Sequence, residues 1–149
     1  MILFDTSVLI AAMVSTHSYH KVSFQLLQKV HDKHFKGAIS LHGLAECYSV
    51  LTALPLQPRI SPVLAEKLIT ENILSVLSLV ELGAKDYRSA LHRVSSKNLK
   101  SGIIFDALIF QAALKAKATA LCTWNESHFK LLLGDEDLQI CNPTSVDEP

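Results

Sequence analysis

Three carboxylates stand in mostly apolar stretches of this chain: Asp5 in MILFDTSVLIAAM, Glu46 in ISLHGLAECYSVL and Asp106 in GIIFDALIFQAAL. An uncompensated charge in apolar surroundings is strongly disfavoured, so acids there are usually paired, hydrogen-bonded or metal-bound. Few cationic residues lie beside them in the sequence. Two carboxylates about 4 Å apart repel by roughly 4 kcal/mol at an effective dielectric near 20. Several acids gathered at one site therefore need a cation or a shifted protonation state. All-oxygen ligands suit Mg²⁺ or Mn²⁺ better than zinc. Such ions activate water for phosphodiester hydrolysis, so the set points to phosphate chemistry.

Each acid also has an ordinary alternative. Asp5 or Thr6 reads as the cap of the helix that follows. Glu46 shares a helix face with His42, Ser49 and Val50, opposite a stripe of Leu44, Tyr48 and Leu51, and on that reading faces solvent. Asp106 lies in the first turn of its helix, where the helix dipole favours an acid by about 0.3–1 kcal/mol. Asn125, in TWNESHF, reads as a turn residue or as the cap of a short helix.

The elements that must position these residues alternate as in βαβ units. Short apolar runs mark strands at 2–4, 37–41, 76–80 and 120–123, with a short fifth at 138–141. Helical periods cover 7–13, 19–34, 42–53, 84–95 and 104–117. Ser61-Pro62 is a cap followed by proline in the first turn, opening a helix to about Leu74. Parallel sheets bind ligands at the carboxyl ends of their strands. Asp5 follows the first strand, Glu46 lies in the helix after the second, and Asn125 follows the fourth. The expected domain spans residues 1–142, with a loose tail at 143–149.

The 149 residues suit one domain with its own core. At 49% apolar the chain is not disordered over most of its length. No apolar run reaches the roughly 18 residues of a membrane span, and the N-terminus lacks the basic flank and cleavage site of a signal peptide. Cys47, Cys122 and Cys141 show no CxxC pairing, which suits buried thiols in a reducing cytoplasm. Fourteen basic residues balance fourteen acidic ones. A contact with nucleic acid must therefore use a local patch or metal ions. Only five glycines and no phosphate-binding glycine loop argue against nucleotide binding.

DTSVLIAA, LAECYSVLT, LPLQPRISPVLAEKLI, FDALIFQAAL and ALCTWNESHF occur in an order that resembles PIN domains, above all the VapC-type ribonuclease toxins and related stand-alone PIN proteins. The resemblance covers nearly the whole chain. It implies an α/β class fold, a three-layer α/β/α sandwich with a central parallel sheet of order 3-2-1-4-5. It also implies a divalent-metal-dependent endoribonuclease using Mg²⁺ or Mn²⁺. By the same resemblance Asp5, Glu46 and Asp106 match the metal-site acids and Asn125 the fourth polar position, often Asp in the family. Thr6 and Thr123 match supporting hydroxyls. Asn125 in place of a fourth acid implies one readily held metal, because three carboxylates and one Mg²⁺ leave a charge of about −1. A small antitoxin protein and a homodimer are the partners it implies.

Other features read as ordinary. His17, His20, His31 and His34 lack the further ligands of a zinc site and read as surface residues. His128, near Asn125, reads as a loop or short-helix residue, with a contact to substrate as the alternative. Phe24, Leu27 and Val30 form a core stripe. Arg88, Arg93, Lys97 and Lys100 form a basic run towards Asp106, either a guide for an RNA backbone or a solvated face. The rival function is a PIN-like binding module with a weak or inactive site. An aspartyl phosphotransferase fits less well, since Asp5 is followed by Thr6-Ser7 where that class has DxD.

Overall fold

The computed structural model describes residues 1–146. Five short strands form one parallel sheet: β1 (Ile2–Phe4), β2 (Gly37–Ser40), β3 (Ser78–Val80), β4 (Ala120–Cys122) and β5 (Gln139–Cys141). Their order is β3-β2-β1-β4-β5, the order expected from the sequence. Every residue of β1, β2 and β4 is buried, as strands covered on both faces must be.

Seven α-helices cover the sheet: α1 (Thr6–Met13), α2 (His20–His31), α3 (Leu41–Ala53), α4 (Pro62–Ile69), α5 (Ala84–Ser96), α6 (Ile103–Lys115) and α7 (Glu126–Leu132). Side chains alternate across a strand, so Ile2 and Phe4 enter one core and Leu3 the other. The first core takes Leu9 of α1, Leu27 of α2, Leu51 of α3 and Ile69 of α4. The second takes Val94 of α5, Phe110 of α6 and Phe129 of α7. This is the three-layer α/β/α sandwich.

Where the structure departs from the sequence reading, local chemistry explains it. The helix opened by Ser61, whose Oγ accepts from Leu64 N, does not run as one α-helix to Leu74. It widens into a π turn over Thr70–Leu74, with the Asn72 side chain donating to Leu68 O. α6 stops at Lys115, and Lys117 takes a left-handed φ of 51° before β4. Tyr48 and Phe24 are not core. Tyr48 lies on an open groove with Pro62 and Val63. Phe24 stacks on His20 at the surface, while Leu27 and Val30 are buried. In the terminal segment Pro143 is buried and Ser145 N closes a turn onto Asn142 O. Residues 147–149 of the expected tail lie outside the described residues.

Gly37 begins β2 where there is no room for a side chain. A Cβ there would lie 2.5 Å from Leu77 Cδ2 and 2.9 Å from Val30 Cγ1. β2 is paired on both edges and cannot step aside. Gly37→Ala should therefore cost about 1–3 kcal/mol by overpacking. A denaturant melt checks this, and an unchanged midpoint would contradict it.

α5 is tied to the segment after α7 by Arg93. Its guanidinium donates to Leu132 O at 2.9 Å, pairs with Glu136 and lies 4.7 Å from the centre of the Phe110 ring. Burial works to raise the Glu136 pKa, but Arg93 and the Gly134 N–H outweigh it and hold the carboxyl below its usual range. The tie thus contributes at neutral pH and is lost as pH falls through that lowered pKa. Arg93→Ala should cost about 1.5–3 kcal/mol at pH 7, and less in acid. Equal losses at both pH values in paired melts would sink that account.

Candidate active site

The carboxyl ends of β1, β2 and β4 lie side by side, and the polar residues that follow them meet there. Asp5 is held by its backbone first. Its N–H donates to Cys122 O at 2.9 Å, which carries the β1–β4 ladder one residue past the strand. Asp5 occupies the N-cap position of α1, but its carboxylate makes no capping bond. Oδ2 instead accepts from Ser7 Oγ at 2.6 Å and from Thr123 Oγ1 at 2.7 Å. Asp5 is only 4% exposed, and these two hydroxyls are how a buried carboxylate is tolerated.

Thr123 is fully buried. Its N–H pairs with Cys141 O at 2.9 Å, and its hydroxyl also accepts from Asn125 N at 2.9 Å. One side chain thus fixes the first acid and the loop that carries the fourth polar residue. Ser7 does the same from the other side, since its Oγ accepts from Trp124 N at 3.0 Å. Ser7 escaped the sequence reading, although a hydroxyl two residues after a buried acid was the available signal.

Glu46 is placed by the start of α3. Ser40 caps that helix, its Oγ accepting from Gly43 N at 2.9 Å. Glu46 then falls half-buried in the second turn, where Oε2 accepts from Thr6 Oγ1 at 3.0 Å. It does not simply face solvent. Asp106, in the first turn of α6, is 22% exposed and pairs with His128 Nδ1 of α7 at 3.2 Å. Burial raises the Asp106 pKa, the negative charge of Asp5 adds to this, His128 opposes it, and Glu46 adds a little more. The pairing of His128 with Asp106 was not readable from sequence, because nothing there shows that α7 folds back over α6.

Asp5, Thr6, Ser7, Glu46, Asp106, Trp124 and Asn125 line one open cleft of about 550 Å³. Asp106, Asn125 and His128 also border an adjoining hollow, with Lys100 on its rim. Asn125 stands at the N-cap position of α7 without a side-chain capping bond, and is exposed. The basic run splits. Arg93 and Lys97 spend donors on the chain itself, Arg93 on Leu132 O and the exposed Lys97 Nζ on Leu133 O at 2.8 Å. Arg88 is exposed on α5, and Lys100 is the member beside the acids. Cys47, under the site, is pushed up to about 12 by burial and by the charges of Glu46 and Asp5, so it stays an inert thiol.

Among the described residues, no group of three or more His, Cys, Asp or Glu side chains is placed so that it could hold a metal ion. The donor chemistry fits a hard cation nonetheless. The cleft offers three carboxylates, an amide oxygen and the His17 ring, no thiolate, and room for water. Mg²⁺ takes few protein ligands and keeps several waters, so an open oxygen-lined cleft suits it better than a cage.

Comparison with known proteins gives the family and agrees with the fold. The PIN domain family matches residues 2–132. Ribonuclease VapC27 of Mycobacterium tuberculosis is 33% identical over 114 residues, which is 76% of this chain and 77% of that protein. Ribonuclease VapC40 of the same species is 31% identical over 122 residues, 81% and 84% of the two chains. Among solved structures, Mycobacterium tuberculosis VapC20, a Sarcin-Ricin loop cleaving toxin, superposes with a TM-score of 0.68 at 15% identity, covering 87% of this chain and 94% of that one. VapBC2 from Rickettsia felis, bound to a DNA fragment from its promoter, gives 0.67 at 23% identity, covering 95% and 98%. With its sheet order, its acids at the strand ends and these relatives, the chain belongs to the PIN domain family.

Proposed function

We propose that this chain is an endoribonuclease that hydrolyses RNA phosphodiester bonds with Mg²⁺ or Mn²⁺, and that it is the toxin of a toxin–antitoxin pair. The observation that carries the reading is the meeting of Asp5, Glu46 and Asp106 in one cleft, two of them held by dedicated hydroxyls. The names of the relatives support it: two curated ribonucleases, and toxins solved together with their antitoxins. The same neighbours support a small antitoxin as partner. A homodimer, RNA as substrate and a cytoplasmic site of action complete the proposal. No helix among the described residues is long and apolar enough to cross a membrane.

In this reading Asp5, Glu46 and Asp106 hold the cation, which supplies charge neutralisation and an activated water. Ser7 and Thr123 hold the Asp5 carboxylate in place, and Thr6 does so for Glu46. Asn125 offers an amide N–H to a phosphate oxygen without adding charge. Lys100 draws the RNA backbone toward an otherwise acidic cleft, with Arg88 as a more distant attraction. With three acids rather than four, calorimetry should find one ion per chain without RNA. Two tightly held ions would contradict that count.

Thr123→Val keeps the shape and removes the hydroxyl shared by Asp5 and Asn125 N. Cleavage should fall about 10–100-fold in a chain that still folds, while Thr123→Ser stays within a few-fold. Valine as active as wild type would remove Thr123 from the positioning role. The function itself is tested by a panel of single-stranded and structured RNAs with Mg²⁺ or Mn²⁺, beside an EDTA control. Chelator-sensitive cutting is expected. A folded protein that neither binds the ion nor cuts any RNA would overturn the reading and leave a binding module of the same fold.

A further inference from the structure

One pair of aromatic rings lines the acidic cleft, and a second pair is carried by α3 and α6, the helices that bear Glu46 and Asp106. Tyr19 stacks on Trp124, with ring centres 4.0 Å apart and planes 15° from parallel. Both rings line the cleft that holds Asp5, Glu46 and Asp106. The indole is locked: Nε1 donates to the buried Ser23 Oγ at 3.0 Å, and the Trp124 backbone N–H is fixed by Ser7. Tyr19 lies over it and is still 48% exposed. The second pair is His42 with Phe105, centres 5.3 Å apart and 5° from parallel. His42 is one helical turn before Glu46 on the same face of α3, and Phe105 directly precedes Asp106. Phe105 is 52% exposed.

The sheet order sets their relation to the site. His42 follows β2 and Trp124 follows β4, and those strands lie on opposite sides of β1, which ends at Asp5. One ring of each pair, His42 and Trp124, therefore follows a strand on either side of the first acid. We propose that these pairs are stacking platforms that hold the unpaired bases of the nucleotides on either side of the cleaved phosphate. This rests on the ribonuclease reading and sharpens it: the substrate is a strand with its bases splayed out at the cut, because a base inside a duplex offers no free face.

The charge balance supports the assignment. Fourteen basic and fourteen acidic residues leave no net charge, and Arg93 and Lys97 of the basic run spend donors on the carbonyls of Leu132 and Leu133. Phosphate contacts alone would bind RNA weakly at such a surface. Stacking supplies affinity without cationic charge and tolerates any base. The exposed apolar groove of Tyr48, Val63 and Leu74 lies elsewhere, between α3 and α4, and is not needed for it.

Trp124 is the only tryptophan in the chain and therefore reports on its own platform. In the Asp106→Asn background, which keeps the strand intact, a short unpaired RNA should quench its fluorescence. Removing the base on one side of the cleavage position should weaken binding roughly five- to hundredfold, as should removing the base on the other side. Tyr19→Ala should erase the penalty for one of these bases only, and Phe105→Ala the penalty for the other. The base-lacking strands need no second protein variant, so the test survives a platform variant that fails to fold. RNA that is cut at the same kcat/KM with either base removed would overturn the platforms and leave the ribonuclease reading intact. Base-dependent quenching without any cutting in wild type would do the reverse. No quenching at saturating RNA would also overturn the proposal.

Discussion

Asp106→Asn is expected to slow RNA cleavage by at least about a hundredfold and, without divalent ions, to leave the protein slightly more stable. The two effects share one cause. Burial and the charges of Asp5 and Glu46 raise the Asp106 pKa, against the opposing pull of His128. A carboxyl whose folded pKa lies above its unfolded value costs stability when ionised, and that cost disappears as pH falls through the folded pKa. Asparagine removes the charge and keeps the shape. Asp106 is only partly buried, and His128 already offsets some of the repulsion, so the gain is on the order of 0.5 kcal/mol. Mg²⁺ should invert the order, raising the Tm of wild type more than that of the variant, since a bound ligand stabilises the folded state. Melts with and without Mg²⁺ beside cleavage assays read all three. A variant that cuts normally would remove Asp106 from the site. A variant destabilised without Mg²⁺ would show that the His128 pairing outweighs the repulsion.

Phe110→Ala is expected to cost about 3–5 kcal/mol of stability, a large share of the roughly 5–15 kcal/mol that holds such a domain. The ring is fully buried in the core beneath α5, α6 and α7, and the Arg93 guanidinium lies over it. Its loss leaves a cavity and frees Arg93 from one contact. Phe110 is one turn after Asp106 on the same face of α6. The variant should therefore lose activity at temperatures where it still appears folded. Phe110→Leu, which fills most of the space, should cost less than half as much. A denaturant midpoint for Phe110→Ala within 1 kcal/mol of wild type would contradict the packing argument.

Much of this layout was legible in the sequence, for physical reasons that differ by residue. β1 and β4 could be read because buried parallel strands are short apolar runs. The sheet order came from the family resemblance and not from periodicity. Asp5, Glu46 and Asp106 stood out because each is the single acid in a mostly apolar window. Glu46 was ambiguous, since its hydrogen bond to Thr6 spans forty positions. Tyr48 and Phe24 were misread because helical spacing marks a face without saying whether another element covers it. Ser7 as a site residue and the pairing of His128 with Asp106 escaped the sequence for a related reason: their partners depend on how β4 and α7 return to β1 and α6. Arg93 and Lys97 looked like a solvated or RNA-facing run, yet the segment after α7 supplies carbonyls and a carboxylate that claim both.

The most direct test of the central claim is a chelator and add-back experiment on one RNA that the panel identifies as cut. The account predicts that cleavage stops with EDTA, returns with Mg²⁺ or Mn²⁺ and does not return with Asp106→Asn. It also predicts products without 2′,3′-cyclic phosphate ends, because the attacking group is water. Cleavage that persists in EDTA, or cyclic ends at early times, would contradict it.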